Sequence, residues 1–231
     1  MKTIGLIGGM SWESTVPYYR IVNQAVRERL GGLHSARAIL YSVDFEDLEP
    51  RLRAGQWEEI GRSLAGAARA LEGAGADFLV LCTNTMHRVA GEIEAAVAIP
   101  LLHIAEPTGE AVRRSGIAKV GLLGTRFTME QGFLRERLRE RHGLEVIVPG
   151  EADREMVNRV VFEELCLGRV LDASRAQYRR VIASLAASGA QGVIFGCTEI
   201  ATLVGASDSP VPVFDTTVLH ARAAVDLALA A

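Results

Sequence analysis

The chain is 231 residues long, 49% of its residues are hydrophobic and its formal net charge is −3. This length allows one large domain or two small ones with a sizeable core, and the hydrophobic fraction suits parallel sheets covered on both faces. The small negative charge gives no indication of binding to nucleic acid or to an anionic membrane, and no apolar run approaches the roughly 20 residues of a membrane span.

Strand and helix patterns alternate along the whole chain. Apolar runs typical of buried strands occur at 3–7, 37–43, 77–82, 99–104, 118–123, 144–148, 191–196 and 211–214. Helical patterns occupy 13–30, 56–73, 86–97, 107–114, 128–141, 152–167, 173–187 and 216–230. This alternation is typical of βαβ units and predicts the α/β fold class with parallel sheets.

The chain contains an internal repeat. Residues 4–9 are similar to residues 120–125, and residues 75–85 are similar to residues 189–199. Each copy of the second pair has a Gly-Ala turn, an apolar run and a small polar cluster at its end. The copies lie too far apart for a solenoid, whose units are roughly 20–50 residues long.

The repeat predicts two pseudo-symmetric Rossmann-like domains with the active site in the cleft between them. The predicted domains are residues 1–105 plus 211–231, and residues 106–210. In open α/β sheets, ligands bind beyond the carboxyl ends of the strands, where helix N-termini favour anions. The polar clusters at these positions therefore predict a site for a small carboxylate. The candidate substrate-binding residues are Met10, Ser11, Arg51, Asn84, Thr85, Thr125 and Thr198.

Two of these candidates rest on separate arguments. The glycines before Met10 are expected to let backbone amides approach a carboxylate closely. Arg51 and Arg53 lie in a predicted loop after the second strand and are candidates for binding a side-chain carboxylate, or else are solvated surface charges.

Thr83 and Cys197 occupy equivalent places in the two copies of the repeat, each eight residues after the first glycine. A thiol has a pKa near 8.5, and a helix N-terminus following Cys197 is expected to lower it. The alternative for Cys197 is an inert buried cysteine. The Thr83 hydroxyl could donate or relay a proton or orient a substrate, and the alternative is a cap on the next helix.

Four further residues have side chains that could transfer a proton or act as a thiol. His87 and Glu199 are candidates for proton transfer, or else a surface or satisfied histidine and a helix N-terminal charge. Cys82 is one residue out of step with Thr83 along the strand, so it should face a core layer. Cys166 is expected to be a core cysteine or to face the cleft.

Cofactors and location can be addressed from residue types. Pyridoxal enzymes need a lysine for the Schiff base, and only Lys2 and Lys119 are present, each just before a strand pattern. No group of residues has metal-ligand spacing. We therefore expect no cofactor and no metal. The absence of signal-peptide features and the odd number of cysteines, three, predict a cytoplasmic protein with reduced thiols.

Three motifs, in order along the chain, resemble those of the aspartate/glutamate racemase family, and of its L-aspartate/glutamate-specific or broad-specificity amino acid racemases in particular. They are residues 8–15 (Gly-Gly-Met-Ser-Trp-Glu-Ser-Thr), 84–87 (Asn-Thr-Met-His) and 196–200 (Gly-Cys-Thr-Glu-Ile). The resemblance implies a cofactor-independent isomerase with two pseudo-symmetric domains, a small amino acid substrate and a homodimer.

The resemblance also implies residue roles. Family members usually carry one cysteine before the Asn-Thr of the first domain and another in the Gly-Cys-Thr of the second. One thiolate removes the α-proton and the opposite thiol returns one to the other face. Cys197 would then deprotonate an L-amino acid. This chain differs at Thr83, and also at Cys166, where relatives often have a lysine.

Two other functions stay open from the sequence alone. A single strand-end thiol also suits a decarboxylase of the arylmalonate type, which uses one cysteine to protonate a carbanion. The replacement of a second thiol by Thr83 also suits an amino-acid-binding protein without turnover.

Overall fold

The computed structural model describes residues 1–230. Its strands are β1 (Ile4–Gly8), β2 (Ala38–Ser42), β3 (Phe78–Leu81), β4 (Leu101–Leu102), β5 (Lys119–Gly124), β6 (Glu145–Ile147), β7 (Gly192–Gly196) and β8 (Val213–Asp215). Its helices are α1 (Trp12–Leu30), α2 (Phe45–Arg53), α3 (Trp57–Gly73), α4 (Ala90–Glu94), α5 (Ala105–Arg114), α6 (Arg126–Glu130), α7 (Gly132–His142), α8 (Glu151–Glu163), α9 (Asp172–Ala187), α10 (Ile200–Leu203) and α11 (Thr216–Leu229). Short 3-10 helices occupy Thr85–Val89, Leu165–Leu167 and Ala206–Asp208.

The strands form two four-stranded parallel sheets, which confirms the predicted α/β fold class. The strand orders are β2-β1-β3-β4 and β6-β5-β7-β8, so the two sheets have the same topology. In the first sheet, Ile4 pairs with Ala38 on one side and Phe78 on the other. In the second sheet, Val120 pairs with Val146 on one side and Gly192 on the other.

The chain divides into two compact units. The first contains residues 1–103 and 220–230, and the second contains residues 104–219. The last strand therefore differs from the sequence prediction, which assigned 211–231 to the first half. β8 instead pairs in parallel with β7, with Val213 beside Val193, and so completes the second sheet.

The core of the first unit lies where strands β1 and β3 meet helices α1 and α11. Ile4 and Leu6 alternate along β1 and are fully buried against Tyr18 of α1 and Val225 of α11. Cys82 belongs to the same cluster, since it follows Phe78 and Val80 at the period of a strand. The prediction that Cys82 faces a core layer agrees with this position.

The second unit has a core on each face of its sheet. Val193 and Phe195 of β7 pack with α8 and α9, whereas Ile194 packs with α5 and α7 residues around Leu122. A strand covered on both faces is apolar at every position, and β7 is buried throughout. Its carboxyl end at Gly196 leads directly to Cys197.

Helix α2 occupies a segment that was predicted as a loop. Pro50 lies in its interior, a position that ordinarily disfavours a helix. The side chain of Asp44 accepts a hydrogen bond from Glu46 N and caps its first turn. Leu48 and Leu52 bury one face of the helix. Packing of this face offsets the cost of the proline.

Candidate functional site

Polar side chains follow the carboxyl ends of the two central strands in each unit. In the first unit, β1 leads to Met10 and Ser11 and β3 leads to Thr83 and its neighbours. In the second unit, β5 leads to Thr125, and β7 leads to the cluster that begins at Cys197. All of the polar residues predicted at these ends are buried. They are Ser11, Thr83, Asn84, Thr85, His87, Thr125, Thr198 and Glu199.

Glu199 is the centre of the polar cluster in the second unit. Its Oε2 accepts a hydrogen bond from Cys197 Sγ at 2.9 Å and another from Thr198 Oγ1 at 2.7 Å. Cys166 Sγ lies 3.8 Å from Oε1 of the same carboxylate. A buried thiol in direct contact with a carboxylate can pass its proton to that carboxylate, so this arrangement supplies an acceptor for the Cys197 proton.

The environment of Cys197 raises its pKa well above the usual value. Burial is the largest cause, followed by the negative charge of Glu199 and the proximity of Cys166. The expected lowering by a helix N-terminus is wrong, because α10 has only four residues and begins three positions after the cysteine. Cys197 is thus a protonated thiol at neutral pH, and its ionisation requires a base.

Cys166 lies beside the polar cluster around Glu199, although the sequence favoured an ordinary core cysteine. It is in the 3-10 turn Leu165–Leu167, is half-buried and packs against the edge of the second unit's core. Cys166 and Cys197 therefore contact the same carboxylate, that of Glu199.

Thr83 lies just beyond β3 in the first unit. Its N–H donates to Leu81 O at 2.8 Å, and its carbonyl accepts from His87 Nδ1 at 2.7 Å. No hydrogen bond of the Thr83 hydroxyl is present among residues 1–230. The alternative of a helix cap does not hold, since the 3-10 helix that follows has Asn84 at its N-cap and no side-chain cap.

His87 belongs to a buried cluster of three histidines. Its ring centroid lies 4.5 Å from that of His103 and 5.8 Å from that of His220. His220 Nδ1 lies 2.9 Å from the Tyr18 hydroxyl, and His220 Nε2 lies 2.8 Å from Leu102 O. A surface position for His87 is excluded by its burial.

One amide of the loop after β1 is bonded within the protein. The Gly9 amide donates to Thr15 Oγ1 at 2.8 Å rather than pointing to open space. Gly9 has a φ of +91° and a Cβ there would collide with the Val43 backbone, so close chain approach explains this glycine. Met10 is buried, and the Ser11 carbonyl accepts from the Ser14 hydroxyl.

The remaining predicted residues have mixed positions. The Thr125 side chain caps α6 by accepting from Thr128 N at 3.3 Å. Arg51 is in α2 rather than in a loop, and its Nε lies 3.4 Å from a Glu59 carboxylate oxygen. Both side chains of this ion pair are 40% or more exposed, so Arg51 is a surface charge in this structure.

The sequence analysis did not identify Tyr18, His103 and His220, which complete the cluster around His87. The histidine content of the chain was the one indication of such a cluster. The chain has five histidines, and three of them lie in this one buried cluster. A histidine within an apolar pattern, such as His220 in the last helix, needs buried hydrogen-bond partners.

Within residues 1–230, no group of three or more histidine, cysteine, aspartate or glutamate side chains could hold a metal ion. In the same part of the chain, every helix is too short or too polar to span a bilayer.

Comparisons with known proteins agree on one family. The profile of the Asp/Glu/hydantoin racemase family matches residues 7–224. The chain is 24% identical over 230 residues, 98% of each chain, to the broad-specificity amino-acid racemase RacX of Bacillus subtilis (strain 168). It is 60% identical to a candidate Asp/Glu racemase from Yersinia pestis, whose crystal structure superposes with a TM-score of 0.93 over 100% of both chains.

A further solved structure has the same fold over nearly the full length. An aspartate racemase homologue from Pyrococcus horikoshii OT3 is 35% identical, with a TM-score of 0.85 and 99% coverage of both chains. The family profile and these full-length relatives show that the chain belongs to the Asp/Glu/hydantoin racemase family and is an isomerase of the racemase type.

Proposed function

We propose that this protein is a cofactor-independent racemase of aspartate and glutamate that favours the L enantiomer. The observation that carries the proposal is the contact between the buried Cys197 thiol and the Glu199 carboxylate at the end of β7. A second observation supports it: Thr83, which carries a hydroxyl, lies at the equivalent strand end of the first unit. The aspartate racemase homologue and the broad-specificity racemase among the relatives support the substrate class.

The first step is removal of the α-proton from the L-amino acid. The Cys197 thiol passes its proton to Glu199, and the resulting thiolate takes the α-proton, so the C–H electron pair stays on the α-carbon. The high pKa of Cys197 makes its thiolate a strong base once formed, which helps it to remove a weakly acidic α-proton.

The second step is proton delivery to the other face of the α-carbon. We assign the Thr83 hydroxyl to this face, where it donates or relays a proton that water replaces. A hydroxyl is a far weaker acid than a thiol, so delivery on this face is slower than return of the proton by Cys197. Proton exchange with retention is therefore faster than formation of the D enantiomer.

Substrate carboxylates need hydrogen-bond donors near these two groups. We assign Asn84 and Thr85 to the α-carboxylate, because both are buried at the turn that follows Thr83. Thr198 donates its hydroxyl proton to Glu199, so we assign it to orientation of that carboxylate. Thr125, Met10 and Ser11 complete the candidate binding residues through their positions at strand ends.

Independence from pyridoxal phosphate is supported by the positions of the lysines. Lys2 precedes β1, and Lys119 begins β5 and pairs with Glu145 at 2.9 Å. Both are at the amino ends of strands in their own sheets, whereas the polar clusters follow the carboxyl ends. A Schiff-base lysine at those clusters is therefore lacking within residues 1–230.

The test is α-proton exchange without added cofactor. L-aspartate and L-glutamate are incubated with the protein in heavy water, and loss of the α-proton signal is followed by NMR. We expect exchange with the wild type and with the matched control Cys82→Ala, whose cysteine is inert in the core. We expect none with Cys197→Ala. No exchange by the wild type, or undiminished exchange by Cys197→Ala, rejects the proposal.

A further inference from the structure

We propose that His87 is a positioning residue that holds the Thr83 backbone, and so aims its hydroxyl, from within a locked cluster of buried aromatic side chains. This inference rests on the proposed role of Thr83 in proton delivery. It assigns His87 a role through Thr83 in place of direct contact with the substrate.

The contact between His87 and Thr83 has a defined direction. The Thr83 carbonyl can only accept a hydrogen bond, so the proton of the His87 ring is on Nδ1, which donates over 2.7 Å. The His87 amide also donates to Asn84 O at 3.1 Å, which keeps the histidine in the same turn.

The His87–Thr83 hydrogen bond takes the place of the strand-to-strand hydrogen bonds at the point where β3 ends. The last ladder bond on this side of β3 is from Cys82 N to Ile7 O at 2.9 Å. Thr83, the next residue, is instead held by its own bond to Leu81 O and by His87. Both polar groups of its backbone are occupied, and its hydroxyl makes no bond within residues 1–230. The backbone bonds thus fix the position of the Thr83 Cα–Cβ bond from which the hydroxyl projects.

The His87 ring is itself held by a second layer. His220 Nε2 donates to the Leu102 carbonyl at 2.8 Å, because a carbonyl can only accept. His220 Nδ1 then accepts from the Tyr18 hydroxyl at 2.9 Å, which leaves His220 one tautomer and one ring orientation.

The rings pack edge to face. The His87 ring meets His103 at 64° and His220 at 61°, and all three histidines are buried. A ring confined on two sides, with Nδ1 bonded to the backbone, has one orientation available. His87 therefore transmits the rigidity of this cluster to Thr83.

The experiment separates the two steps of the proposed reaction. In heavy water, α-proton exchange with retention reports removal by Cys197, and formation of the D enantiomer reports delivery on the Thr83 face. We expect His87→Leu to lower the ratio of D product to exchange by about 10²-fold, the cost of misplacing a reacting group by about 1 Å. Thr83→Ala should lower the same ratio.

Rescue by a conservative variant distinguishes positioning from proton transfer. The amide nitrogen of asparagine is the same number of bonds from Cα as histidine Nδ1, so His87→Asn can still donate to the Thr83 carbonyl. We expect it to restore most of the ratio, although it cannot titrate. His142→Asn, which changes a half-buried histidine of the second unit bonded to Glu106, should leave the ratio unchanged.

Two results overturn the inference while exchange by the wild type persists. One is an unchanged ratio in His87→Leu, and the other is a His87→Asn variant as defective as His87→Leu. If His87→Leu does not fold, His87→Gln replaces it, since its longer side chain displaces the donor from Nδ1. Loss of exchange in the wild type itself would instead reject the proposed function.

Discussion

Acidification should destabilise the first unit through one buried histidine, His220. Burial is the main cause that lowers its pKa from 6.5 to about 4, against the opposing effect of its bond to the Leu102 carbonyl. The folded state therefore resists protonation over a range in which the unfolded chain accepts it. The stability from neutral His220 is complete above about pH 6.5 and is lost as pH falls toward about pH 4.

The size of this effect follows from the two pKa values. The full difference corresponds to about 3 kcal/mol in the free energy of unfolding, and about 2 kcal/mol is already lost at about pH 5. For a chain of this length, that loss lowers the melting temperature by about 4–8 °C.

The assay compares thermal unfolding at about pH 7 and about pH 5 for the wild type and for His220→Gln. The glutamine amide can still donate to Leu102 O but does not titrate, so we expect a lower stability at neutral pH and a smaller loss on acidification. Groups shared by both proteins cancel in the comparison, and His34→Gln at an exposed site serves as the control. An equal acid-induced loss in the wild type and in His220→Gln would refute this reasoning.

Two further predictions concern the reaction. In Glu199→Gln, loss of the proton acceptor should reduce α-proton exchange at neutral pH by roughly 10²–10⁴-fold. Loss of the negative charge should also move the rise of the rate with pH, which follows ionisation of Cys197, to lower pH, because that charge raises the Cys197 pKa. An unaltered pH–rate profile would contradict this. Thr83→Cys should raise formation of the D enantiomer at least about tenfold, since a thiol is the better acid. Chiral chromatography measures the product, and an unchanged or lower yield would count against proton delivery from this position.

Cys82 and Cys197 differ in the side chains that surround them. Cys82 and Cys197 are both buried, and burial raises the pKa of each. Cys82 lies among apolar side chains, whereas Cys197 contacts a carboxylate two residues away. The repeat predicted this difference in orientation, because the two residues are out of step by one position along equivalent strands. It did not predict the rise in the Cys197 pKa.

The fold class and the strand-end clusters were predictable from local patterns. Each of the eight predicted apolar runs overlaps an observed strand. The signal is strongest for the central strands, which are covered on both faces and therefore apolar throughout. The equivalence of Thr83 and Cys197 was also predictable, because an internal repeat preserves the position of a residue relative to its strand. The location of β8 was not, since pairing with β7 depends on which sheet edge is available.

The sequence by itself determined the α/β alternation, the two related halves and the residue types at the strand ends, because these depend on neighbours along the chain. The tertiary structure decided what surrounds those residues. Tyr18 and His220 are separated by 202 positions, and Cys166 and Glu199 by 33. Proton affinity and side-chain orientation depend on such distant partners and on burial, which no local pattern contains.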